Sequence, residues 1–230
     1  MAGSRTRRVA LAAILALALV APLIVASELG TARATPAAAR RTTVTRAFPG
    51  IPQRGTVLGA PGAPVTLVEY ADLQCPYCAE WARRTLPVLV SAYVRPGKLR
   101  IVFNGLAFLG PDSVTALRTT IAAGRRNRLW DVVDALYLRQ GTENSGWVSE
   151  SLLAEVARSA GVEPPWLARE GEQAWVTREL VRAKATARAA GIHGTPSFAL
   201  GRTGGPMRRV DLRSLDPVGL VPAIDMLLAP

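Results

Sequence analysis

The two cysteines of this 230-residue chain stand three positions apart, in Cys75-Pro76-Tyr77-Cys78, and the sequence on either side decides which element each sulfur occupies. Upstream, APVTLVEYAD is a β-branched and apolar run bounded by Pro64 and by the turn Asp72 to Pro76, the pattern of a buried strand. Downstream, YCAEWARRTLPVLVSAYV reads as a helix that opens at Pro76, a residue suited to a first turn, with a kink expected at Pro87. GKLRIVFNGLAF follows as a second strand after the Pro96-Gly97 turn. The result is a βαβ unit with Cys75 at its strand-to-helix junction.

Three chemistries compete for such a pair. A zinc site needs four ligands, and beyond the two cysteines the chain has one histidine, His193, far along the sequence. A structural staple would close so small a loop that it removes little unfolded-state entropy. A redox dithiol accounts for position as well as composition. A sulfur at a helix start faces unpaired backbone N–H groups and the positive end of the helix dipole, which favours the thiolate. In C-x-x-C settings thiol pKa values fall to about 3.5 to 7, against about 8.5 for a free thiol. Cys78, one turn inside the helix, is the shielded partner, so Cys75 is the expected nucleophile and Cys78 the resolver. Pro76 removes a competing N–H and stiffens the turn, while Tyr77 tunes how the thiolate is hydrogen-bonded. Glu80 is expected to act on the helix dipole from the first turn.

From Pro111 to about Ala190 the pattern is helical, in SVTALRTTIAAGRRN, RLWDVVDALYLRQ, SESLLAEVARSAG and QAWVTRELVRAKATARAAG. Ser149 reads as an N-cap and Gly161 as a C-cap. TPSFAL and PMRRVDL are two short strands joined by a glycine-bearing turn at Gly201 to Gly205, and DPVGLVPAIDMLLAP closes the chain as an amphipathic helix. The five tryptophans and Phe198 are expected to pack the core or the helical region.

The N-terminal region is of another kind. After Arg5, Arg7 and Arg8 the chain runs without charge from Val9 to Ala26, roughly 27 Å as a helix, close to the thickness of a bilayer's hydrocarbon core. Residues 1–27 are therefore read as a signal anchor that spans the membrane, with a cleaved signal peptide as the alternative. The leading arginines keep the N-terminus in the cytoplasm and place the rest outside. Residues 28–54, rich in Ala, Thr, Arg and Pro, read as a flexible tether, with the folded domain beginning near Gly55 and running to 230. The formal charge of +11 does not signal nucleic acid, because +6 of it lies at or before Arg46. In the remainder the arginines are scattered among acids. The doublets Arg83-Arg84, Arg125-Arg126 and Arg208-Arg209 lack interleaved aromatics, the pattern of a solvated surface.

VTLVEYADLQCPYCAEW together with the distant GIHGTPSFAL resembles the DsbA-like branch of the thioredoxin superfamily, over roughly Gly55 to the C-terminus. The resemblance implies an α/β fold, a thioredoxin fold interrupted by a helical insertion at about 111–190. It implies a cis peptide bond at Pro196 beside the cysteines, in a loop from Thr195 whose backbone pairs with an extended substrate. It also implies that Glu69 is the family's buried acid, able to relay the proton of Cys78; the alternative for Glu69 is an edge-facing acid in a salt bridge. The implied activity is extracytoplasmic thiol–disulfide exchange, oxidising exported protein thiols, with no soluble cofactor and with a membrane quinone-linked reoxidant as partner. Pro-Tyr between the cysteines and Thr195 before the proline occur in oxidising and reducing members alike. A reductase or isomerase fed by a thiol reductant therefore stays open, as does a non-enzymatic binding module on the same scaffold. His193 is read as a loop hydrogen-bonder outside catalysis.

Overall fold

The computed structural model describes residues 47–212 and 214–229. The expected anchor or signal segment and most of the expected tether lie outside them. No helix among the described residues is long and apolar enough to cross a membrane.

Six strands form one sheet: β1 (Gln53–Arg54), β2 (Val57–Leu58), β3 (Val65–Asp72), β4 (Leu99–Leu106), β5 (Ser197–Arg202) and β6 (Arg208–Val210), in the order β1-β2-β4-β3-β5-β6. Central β3 is buried along nearly all its length, which is why its sequence is a continuous apolar run. It runs parallel to β4, from Val65 opposite Leu99 to Asp72 opposite Leu106, and antiparallel to β5. A parallel pair needs a crossover, supplied by α1 (Pro76–Arg84), α2 (Leu86–Leu89) and a wider helical turn at Val90–Val94. Alternation along β3 sends Val65, Leu67, Glu69 and Ala71 to one face and Val68 and Tyr70 to the other. The first face joins the main core with Ile101, Phe103, Phe198 and Trp81; on the second, Tyr70 meets Leu106, Ala187, Ile192 and Ala199. Each Val or Leu buried this fully contributes about 1.5–3 kcal/mol.

The helix after the cysteines breaks at Thr85, two residues before the expected kink at Pro87. A proline cannot donate to the carbonyl one turn back and crowds the turn before it, so the break falls on its N-terminal side. The Thr85 hydroxyl then finds a partner in the Leu215 carbonyl.

Between β4 and β5 lie α3 (Pro111–Gly124), α4 (Leu129–Leu138), α5 (Glu150–Ser159), α6 (Pro164–Gly171) and α7 (Ala174–Ala189), with α8 (Val221–Leu228) closing the chain. The short α6, opened by two prolines, has no counterpart among the four helical segments read from sequence. Ser149 caps α5 as expected, its hydroxyl accepting the Leu152 N–H at 3.2 Å. Gly161, at φ 70°, ends that helix: the Val162 N–H returns to Ala157 O and the Gly161 N–H to Arg158 O, a pattern that needs the left-handed backbone glycine adopts freely.

The folded body also takes in residues assigned to the tether by sequence. Phe48 and Ile51 are buried, and Phe48 sets its ring edge-on to Trp130 at 6.1 Å. The Ala47 N–H donates to Asp131 Oδ1 at 3.1 Å and Gln53 Nε2 to Asp131 Oδ2 at 3.1 Å, clasping the start of α4. Short β1 and β2, separated by a two-residue turn, carry too few residues to show an alternating pattern. Replacing Phe48 with alanine should lower stability by about 3 kcal/mol with an unchanged denaturant slope. A tether residue would give no shift in the urea midpoint.

Candidate active site

Cys75 is the N-cap residue of α1, extended at φ −69° and ψ 118°, with Pro76 in the first helical position. Its carbonyl accepts the Ala79 N–H at 3.2 Å, the first bond of the helix, and its own N–H closes the preceding turn on Asp72 O at 3.0 Å. No side chain caps this helix, so its first-turn N–H groups are left to the sulfur. The Cys75 thiol is drawn down to about 6, chiefly by a hydrogen bond from the Cys78 thiol; burial opposes this, and the Thr195 side chain and the N–H groups of Cys78 and Tyr77 add to it. While protonated, the same thiol donates to the Thr195 carbonyl, with Sγ and O 3.3 Å apart.

Cys78 is fully buried. Burial pushes its thiol well above the ordinary value, helped by its hydrogen bond to Cys75 and by the charges of Cys75 and Glu69. Both thiols are free.

Glu69 sits on central β3 with Phe103 and Phe198 opposite it on the neighbouring strands, so the edge-facing alternative does not describe it. Its carboxyl is buried, neither oxygen has a hydrogen-bond partner among the described residues, and burial raises its pKa well above the usual range. Burial without a partner favours the neutral, protonated form of this carboxyl. Tyr137 of α4 is likewise buried; its hydroxyl donates to Asp72 O at 3.3 Å, and burial, then the nearby charges of Cys78 and Glu69, push its pKa up. Glu69, Cys75, Cys78 and Tyr137 therefore form one electrostatically linked group beneath the start of α1.

The Thr195–Pro196 peptide bond is cis, and this loop meets Cys75 through Thr195. A cleft of about 300 Å³ continues from Pro196 past Ser197, His193, Arg209 and Asp211. Tyr77 acts on the thiolate through its N–H; its side chain is 63% exposed and turned to solvent. Glu80 lies in the second turn rather than the first, where it pairs with Arg84 at 2.8 Å instead of meeting the helix N-terminus. Trp81 and Trp130 are buried as expected, and Phe198 packs 5.1 Å from Trp81. Among the described residues no three of His, Cys, Asp and Glu gather as a metal-binding group.

Sequence reading missed the polar frame of the turn before Cys75. Buried Asp72 takes the Gln74 N–H at 2.9 Å and the Ser113 hydroxyl at 2.6 Å on one oxygen, and the N–H groups of Phe108 and Leu109 at 2.7 and 3.1 Å on the other. Buried Gln74 donates to Ser113 Oγ at 3.0 Å and Asn144 Oδ1 at 3.1 Å, and accepts from the Asn144 N–H at 2.7 Å and Trp147 Nε1 at 3.3 Å. Gln140, just past α4, donates to Leu73 O at 2.9 Å and Cys75 O at 3.1 Å. Two polar residues, Asp72 and Gln74, at the end of so apolar a run were a visible signal. Gln140 carried none, since a glutamine at a helix end reads as solvated.

Comparison with known proteins agrees with this geometry. A family model described as thioredoxin matches residues 53–204. A probable disulfide bond formation protein D of Bacillus cereus is 32% identical over 103 residues, 44% of this chain and 48% of that protein, so the chain spans about half the length of the curated relatives it matches. The crystal structure of oxidised BdbD from Bacillus subtilis superposes with a TM-score of 0.67 at 21% identity, covering 77% of this chain and 97% of that one. A thioredoxin-like oxidoreductase from Silicibacter pomeroyi gives 0.61 at 28% identity, covering 77% and 92%. With a cysteine pair at the start of the first crossover helix and five helices inserted before β5, the chain belongs to the thioredoxin family.

Proposed function

We propose that the protein is an extracytoplasmic thiol–disulfide oxidoreductase, a dithiol oxidase that forms disulfides in exported proteins through Cys75 and Cys78. The observation that carries this reading is the opposite pull on the two thiols, Cys75 down to about 6 and Cys78 up. A low nucleophile pKa stabilises the reduced enzyme and so makes its disulfide a stronger oxidant. The relatives named for disulfide bond formation support the same chemistry.

In the oxidised enzyme a substrate thiolate attacks Cys75 Sγ. The Cys75–Cys78 bond breaks and its electron pair leaves on Cys78 Sγ. In its buried site that sulfur needs a proton, and Glu69, whose buried carboxyl is pushed towards its protonated form and is electrostatically linked to Cys78, would relay it. Thr195 and Pro196 present backbone beside Cys75 for an extended substrate segment. A second substrate thiolate then attacks the substrate sulfur of the mixed disulfide, and Cys75 departs as a stable thiolate. The substrate has lost two electrons and two protons, which the enzyme dithiol carries until a membrane quinone-linked reoxidant takes them. The apolar run Val9 to Ala26 would hold the enzyme at that membrane with its catalytic domain outside the cytoplasm. Run in reverse with a thiol reductant, the same residues would make a reductase or isomerase. The redox potential separates the directions: about −120 mV marks a strong oxidant and about −270 mV a reductant.

Alkylation of the reduced full chain by iodoacetamide across pH should show Cys75 reacting with a midpoint near pH 6 while Cys78 stays slow. A Cys78→Ala variant should accumulate a mixed disulfide when its Cys75 thiolate attacks a disulfide-bonded peptide, the other peptide sulfur leaving as a thiolate. Equal reactivity of both thiols near pH 8.5, the free-thiol value, with no trapped intermediate, would leave the binding-module reading standing.

Glu69 gives a pH dependence of defined sign. Its folded-state pKa is raised, so its contribution to stability is complete below the usual carboxyl value of 4.5 and is lost as pH rises towards the folded value. The parent should lose up to about 1.4 kcal/mol per pH unit through this group, and Glu69→Gln should remove that slope in urea melts at successive pH values. If Glu69 also relays the proton, the variant will release Cys78 more slowly from the enzyme disulfide in stopped-flow reduction.

In cells the chain should fractionate with membranes and resist extraction by high salt. Recovery of a soluble form beginning near Glu28 or Thr35 would mark a cleaved signal instead.

A further inference from the structure

We propose that Gln140 is a positioning residue for the dithiol: by binding the Leu73 and Cys75 carbonyls with one side-chain amide, it makes the helical insertion a determinant of how reactive Cys75 is. This rests on the redox reading of the pair. Gln140 Nε2 lies 2.9 Å from Leu73 O and 3.1 Å from Cys75 O, so both its hydrogens are spent on the turn that carries the nucleophile. Few side chains can do this. A hydroxyl has one hydrogen to give, and a carboxylate has none.

Two carbonyls drawn towards Gln140 are two negative dipole ends held off the Cys75 sulfur. Without Gln140 the Leu73 carbonyl would be free to turn towards that sulfur and disfavour the thiolate that the helix N–H groups favour, while the Cys75 carbonyl would be left to the Ala79 N–H alone. The amide itself also brings the positive end of a dipole to the turn. Both effects have the same sign.

The lever is braced from behind. Gln74, in the middle of the same turn, is buried and uses all of its amide: it bonds Ser113, Asn144 and Trp147, and Asn144 lies four residues past Gln140. Asn144 is held at φ 53°, a left-handed conformation that asparagine tolerates better than most residues. Gly141, next to Gln140, sits so close to Trp147 that a Cβ there would stand 2.6 Å from the Trp147 Cβ. A tightly folded segment from 140 to 147 thus grips the turn from one side, while α1 receives it on the other.

The test compares full-length parent, Gln140→Leu, Gln140→Glu and Leu136→Ala, reading the pH midpoint of Cys75 alkylation by peptide mapping together with the thermal midpoint. Leu136 is a buried α4 residue that makes none of these bonds, so its variant reports general loosening. Gln140→Leu should raise the alkylation midpoint by about one unit, which lowers the thiolate fraction at pH 6 about five-fold. Gln140→Glu, similar in size but unable to donate when ionised, should raise it at least as far and serves if the leucine variant does not fold. Leu136→Ala should lower the thermal midpoint and leave the alkylation midpoint in place. The proposal is overturned if both Gln140 variants keep the parent midpoint, or if Leu136→Ala moves it equally. A parent midpoint near the free-thiol value would instead defeat the redox reading itself, whatever the variants do.

Discussion

The arrangement turns on one buried carboxylate. Asp72 ends the central strand in an environment that would penalise an unpaired charge by several kcal/mol, and it accepts four hydrogen bonds there. Its donors come from the turn before Cys75, from the segment after β4 and from the first turn of α3. The thioredoxin sheet and the helical insertion are therefore joined at the turn that leads into Cys75. Charge-assisted bonds of this kind are stronger than neutral ones, and losing any one donor would leave the carboxylate short in a dry site.

Around that anchor the two sulfurs occupy different environments although they stand three residues apart. Cys75 sits outside the first helical turn, where N–H groups have no intrahelical acceptor and a negative sulfur supplies one. Cys78 lies inside the turn, against the sheet, with Glu69 and Tyr137 nearby and no water to solvate a charge. The buried carboxyl of Glu69, its pKa raised by burial, belongs to the same logic. A buried acid without a partner costs stability, and central β3 keeps one there, set between Phe103 and Phe198.

The helical insertion does more than cover the sheet. Ser113, Gln140, Asn144 and Trp147 all reach back to the four residues Asp72 to Cys75. Tyr137 does the same through the Asp72 carbonyl, and Arg83 of α1 returns a bond to the Tyr137 carbonyl. The insertion and the dithiol turn are parts of one polar frame.

Much of this was written along the chain. The cysteine pair, the strand before it, the crossover helix and the cap at Ser149 each depend on neighbours in sequence or on a motif a few residues long, and local patterns report local physics; the cis bond at Pro196 came only from the resemblance to the DsbA-like branch. The burial of Phe48 and Ile51 did not show, because nothing near them in sequence reveals Trp130 waiting to receive them. The arginine doublet at 125 and 126 looks bare of aromatics in sequence. The fold lays Arg125 over Trp175 at 4.5 Å and Arg126 over Trp166 at 4.6 Å. Gln140 is 65 positions from the cysteine whose carbonyl it holds. By itself the sequence determined that a cysteine sulfur stands at a helix start, where a thiolate is favoured, since that follows from the order of residues around Cys75. Only the tertiary structure decided how that thiolate is held, because the side chains that frame its turn come from helices folded back across the sheet, and a hydrogen bond depends on distance in space rather than along the chain.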